Sequence, residues 1–101
     1  MYKVLVVEDD PNIVDLLRIH LTDLGCDVTA AGNGAEALLH AQEQAFHLIV
    51  LDIMLPGING MEICRQLRLK DRSTPIMILS AKSEEIDKVF GLETGADDYL
   101  T

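Results

Sequence analysis

Cations are scarce in this 101-residue chain: Lys and Arg total 8 against 17 Asp and Glu, a formal net charge of −9. A field of that sign repels phosphate backbones and anionic lipids, which argues against direct binding of nucleic acid or of a membrane by this segment. Long apolar runs are missing as well. No stretch approaches the roughly 18 residues of a membrane span, and no charged-then-apolar signal segment opens the chain. A soluble, cytoplasmic protein is the expectation. Cysteine is confined to Cys26 and Cys64, with neither metal-ligand spacing nor the density of a disulfide scaffold. A dinucleotide-binding glycine fingerprint and a Walker lysine motif are also absent. No repeat, linker or low-complexity segment divides the sequence, so 1–101 reads as one domain.

What is present is a regular alternation of short apolar runs and helical patterns. Lys3-Val4-Leu5-Val6-Val7 is continuous in the way of a parallel strand buried on both faces. Asp10-Pro11 supplies a helix N-cap followed by proline at the first helical position. Ile13, Leu16, Leu17, Leu21 and Leu24 then recur at helical spacing, and Gly25 suits the helix end. Residues 27–31 read as a second strand, with Cys26 in the connection before it. The turn Gly32-Asn33-Gly34 leads to a helix over 35–45 with Ala37, Leu38 and Ala41 inward.

Leu48-Ile49-Val50-Leu51 is a third strand, and a loop over 55–60 opens a helix carrying Ile63, Cys64 and Leu67. Arg65, Arg68, Lys70 and Arg72 gather near its C-terminus, where the helix dipole favours cations. Pro75 introduces the strand Ile76-Met77-Ile78-Leu79. A fourth helix is expected from Ser83 to about Gly95, with Ile86, Val89 and Phe90 on its apolar side, and Asp98-Tyr99-Leu100-Thr101 begins a fifth strand. Four strand–helix units and a strand give (βα)4β, an α/β, doubly wound parallel five-stranded sheet with helices on both faces.

Ligands of such sheets bind beyond the carboxyl ends of the strands, where strand order reverses. Strand one ends in Glu8-Asp9-Asp10, strand three in Asp52 and strand four in Ser80, each directly after an apolar run. An acidic residue in that place is commonly a helix N-terminal charge, and Asp10 is read so. Asp52 is not, because Met54-Leu55-Pro56 follows it. Carboxylates brought to about 5 Å repel by about 3 kcal/mol per pair at an effective dielectric of about 20. Such a cluster either raises a pKa or holds a divalent cation, and all-oxygen ligands favour Mg²⁺ or Mn²⁺.

Val6-Val7-Glu8-Asp9-Asp10, Leu51-Asp52-Ile53-Met54-Leu55-Pro56-Gly57, Gly60, Leu79-Ser80-Ala81 and Gly95-Ala96-Asp97-Asp98-Tyr99-Leu100-Thr101 together resemble the receiver domain of two-component response regulators. The likeness runs from end to end, including the spacing between motifs. It implies a flavodoxin-like fold. Asp52 is then the acceptor of a phosphoryl group from a sensor histidine kinase. Asp9, Asp52 and the backbone carbonyl of Met54 are implied as direct Mg²⁺ ligands, with Glu8 acting through water. Ser80 and Tyr99 resemble the hydroxyl and aromatic that move on phosphorylation, and Met54 and Lys82 occupy positions that set acyl-phosphate lifetime. The ending around Asp97-Asp98-Tyr99 is similar to regulators with a winged-helix DNA-binding output domain, making the implied parent a transcription factor. Such a domain accepts a phosphoryl group rather than turning over a substrate.

The sequence departs from that pattern after Thr101, where the family carries a lysine and then a last helix. The expectation is a domain incomplete at that end, with its switch apparatus incomplete and an exposed sheet edge that favours self-association. Two alternatives stand beside the receiver reading. A haloacid-dehalogenase-type phosphatase also uses an Mg²⁺-assisted aspartate nucleophile, but needs a second aspartate where this chain has Met54. A flavodoxin-like phosphate binder needs a hydroxyl- or glycine-rich loop where this chain has Glu8-Asp9-Asp10-Pro11. His20, His40 and His47 show no ligand spacing and read as surface or packing residues.

Overall fold

The computed structural model describes residues 1–52, 60–70, 73–79 and 98–100. These form strands β1 (Tyr2–Val7), β2 (Cys26–Ala31), β3 (Leu48–Asp52), β4 (Ile76–Leu79) and β5 (Asp98–Leu100), and helices α1 (Pro11–Asp23), α2 (Gly34–Glu43) and α3 (Gly60–Lys70). The helix expected from position 83 and the loop over 55–59 fall outside the described residues.

All five strands are parallel, in the order β2-β1-β3-β4-β5. β1 lies between β2 on one side and β3 on the other, so strand order reverses at β1 and β3. That is the crevice in which open α/β sheets bind ligands. Register sets the depth of each strand end. Val7 lies opposite Leu51 on one side and Ala31 on the other, and Asp52 lies opposite Leu79.

Side chains alternate across the sheet and so divide into two cores. Leu5, Val7, Ile49, Leu51, Ile76 and Ile78 face α2 and α3, where Ala37, Ile63, Cys64 and Leu67 meet them. Val4, Val6 and Val50 point the other way and receive Leu17 and Leu21 of α1. The apolar stripe expected on α1 is therefore only partly used. No residue of α1 is fully buried, and Ile13, Leu16 and Leu24 remain exposed, Leu24 at 76%. Cys26 also departs from expectation: it is the first residue of β2, half-buried against the α1-side core rather than in a connection. Cys64 is core, as its helical position implied.

Helix starts follow the sequence signals, but α2 stops at Glu43 rather than running to Ala45, because the backbone turns extended at Gln44. Asp10 caps α1, its Oδ1 accepting from the Asn12 N–H at 2.9 Å, and Gly25 leaves the helix at φ +86°, a conformation that costs a residue without Cβ little. Asn33 caps α2 by accepting from the Glu36 N–H at 2.9 Å, while Glu36 accepts from the Gly32 N–H at 2.9 Å. Arg68, in the last turn of α3, donates to the Thr74 carbonyl at 2.5 Å and ties the helix end to the approach of β4. No helix among the described residues is long and apolar enough to cross a membrane.

Candidate functional site

Glu8, Asp9 and Asp52 meet beyond the carboxyl ends of β1 and β3. A carboxylate oxygen from each lies within 4.8 Å of the others. Backbone geometry produces this directly. The β1–β3 register carries Glu8 to the level of Asp52, one step past Val7 and Leu51. The Glu8 N–H continues the ladder by donating to the Ala31 carbonyl at 3.0 Å, which holds Glu8 at the sheet while Asp9 turns outward into solvent. Ala31 was not among the residues expected to matter here. Its signal was faint, since a backbone carbonyl carries no side-chain signature.

The three carboxylates sit at three depths. Glu8 is 5% exposed, Asp52 half-buried and Asp9 exposed. Burial, followed by a hydrogen bond with Asp52, pushes the Glu8 carboxyl up from 4.5 to about 7. The negative charges of Asp52 and Asp9 add to the rise, and the N–H of Asp10, donated to Glu8 Oε1 at 3.1 Å, works against it. Near neutral pH Glu8 therefore keeps its proton for much of the time and shares it with Asp52. Without a cation the cluster relieves its repulsion by protonation, one of the two outcomes its composition allowed.

Of the other residues expected at the site, Ser80 and Lys82 lie outside the described residues, as does Met54. Tyr99 is placed by its backbone in β5, opposite Ile78 of β4. Of the basic group expected at the end of α3, Arg68 and Lys70 lie in its last turn, and Arg72 falls outside the described residues. Arg65 pairs instead with Glu62 at 2.5 Å on the surface, a contact worth a few tenths of a kcal/mol, ~0.5 at most, in an exposed helix.

A comparison with protein families matches residues 4–101 to the response regulator receiver domain. The chain belongs to that family. The alkaline phosphatase synthesis transcriptional regulatory protein PhoP of Bacillus subtilis (strain 168) is 52% identical over 99 residues, 98% of this chain and 41% of that protein. The chain thus spans about two fifths of the length of the curated relatives it matches. Among solved structures, response regulator TrrA of Thermotoga maritima in complex with Mg²⁺ and beryllofluoride superposes with a TM-score of 0.92 at 36% identity. The match covers 100% of this chain and 86% of TrrA. A complex of histidine kinase ThkA with TrrA matches at a TM-score of 0.88 and 36% identity, over 99% of this chain and 84% of that one. The flavodoxin-like fold and the receiver assignment are thereby established, and receiver domains are phosphoacceptors.

Proposed function

We propose that this receiver domain accepts a phosphoryl group on Asp52 from a phosphohistidine of a sensor kinase, with Mg²⁺ bound beside it. The observation that carries the reading is the convergence of the Glu8, Asp9 and Asp52 carboxylates within 4.8 Å at the strand-order reversal. Three oxygen donors without His or Cys suit a hard cation. Asp9 and Asp52 would hold Mg²⁺ directly together with the Met54 carbonyl, and Glu8 would hold it through water. When bound, the cation neutralises charge on the transferring phosphoryl group.

The chain's own residues supply the rest. An Asp52 carboxylate oxygen forms the new O–P bond as the N–P bond of the phosphohistidine breaks, giving an acyl phosphate and a free imidazole. Half-burial limits water around Asp52 without closing it to a donor. The proton that Glu8 holds against Asp52 competes with a cation for the cluster. Ser80 then donates to the phosphoryl group a charge-assisted hydrogen bond that the unmodified domain lacks, and Tyr99 moves with it. Met54 positions no water and slows loss of the phosphoryl group, with Lys82 the second residue setting that lifetime. The same apolar side chain argues against a phosphatase, which needs a general acid there.

In its parent protein the domain would control an output domain that binds DNA and regulates transcription in the cytoplasm. The naming of PhoP as a transcriptional regulatory protein supports this, as does the kinase bound to TrrA for the upstream partner. Incubation with acetyl phosphate or beryllofluoride, with and without Mg²⁺, tests the acceptor site. An Mg²⁺-dependent gain of one phosphoryl mass, abolished in Asp52→Asn, is the expected result. Labelling that persists in Asp52→Asn, or that ignores Mg²⁺, overturns the assignment. Steady turnover of a generic phosphate ester would favour the phosphatase instead.

A further inference from the structure

We draw no further inference here: the strongest candidate, the cleft of about 410 Å³ between the C-terminal ends of α2 and α3, carries nothing because Phe46, Leu67 and Ile76 on its floor are already buried by the fold's own packing and its cations Arg68 and Lys70 are offset by Glu43 and by two helix C-termini, so nothing in the structure shows what covers it.

Discussion

Glu8 and Asp9 are consecutive carboxylates, yet the fold gives them opposite tasks. Glu8 still belongs to the β1 ladder through its N–H to Ala31 and is buried, whereas Asp9 is exposed. With its carboxyl raised from 4.5 to about 7, the folded chain binds more protons than the unfolded one between those values. Stability from Glu8 is accordingly complete below about pH 4.5 and is lost as pH rises through about 7. Urea unfolding of the metal-free protein from pH 5 to pH 8 checks this. Glu8→Gln, whose amide can still donate to Asp52, should flatten the profile and match or exceed the parent at pH 8. An equally steep decline in the variant would assign the effect to other groups. The carboxylate trio was legible in the sequence because each member ends or follows an apolar run. Which member keeps the proton was not, because that depends on depth in the sheet, and depth comes from register with β2 and β3.

Among the elements, α1 shows what local pattern reveals and what it leaves open. Asp10-Pro11 and Gly25 marked its ends, since capping and positive φ are properties of a few neighbouring residues. Asp10→Ala leaves the Asn12 N–H without its 2.9 Å partner and should cost about 1 kcal/mol in unfolding free energy, while Asp10→Asn should be near neutral. Equal losses in both would point to the charge of Asp10 rather than its cap. The stripe Ile13, Leu16, Leu17, Leu21 and Leu24 identified the apolar side of the helix, but only Leu17 and Leu21 reach the core. Periodicity records where an apolar face lies, not how much of it the rest of the fold covers. His47 illustrates the complementary gap. With no motif to announce it, its ring Nδ1 accepts from the Lys3 backbone N–H at 2.9 Å while the His47 backbone N–H donates to the Lys3 carbonyl at 2.8 Å. The ring also meets Tyr2 edge-on, with centroids 5.2 Å apart. His47→Ala should speed hydrogen exchange of the Lys3 amide and cost ~1 kcal/mol; an unchanged Lys3 exchange rate would mean that the bond does not persist in solution.

At the scale of the whole molecule, the sheet serves as a frame that holds like charges together against their repulsion. Leu5, Val7, Ile49 and Leu51 are buried on one face and Val4, Val6 and Val50 on the other, so β1 and β3 cannot separate without exposing both cores. Relief must come from protonation of Glu8 or from a cation, and the two compete. A cation that binds only the folded chain stabilises it by RT ln(1 + [Mg²⁺]/Kd), about 2.7 kcal/mol at a hundredfold excess over Kd. Because the Glu8 proton competes with the cation, that gain should be smaller near pH 5.5 than above about pH 7. Thermal melts at both pH values, with and without Mg²⁺, therefore have a definite pattern to meet. The metal-free protein melts lower at pH 8 than at pH 5.5, and Mg²⁺ narrows or reverses that difference. Ca²⁺ and Mg²⁺ can share such sites, so Asp52→Asn is the decisive control: removing one carboxylate weakens cation binding and relieves part of the repulsion on Glu8, shrinking both the pH effect and the Mg²⁺ effect. A variant that keeps a full Mg²⁺ shift would place the cation somewhere other than between Asp9 and Asp52.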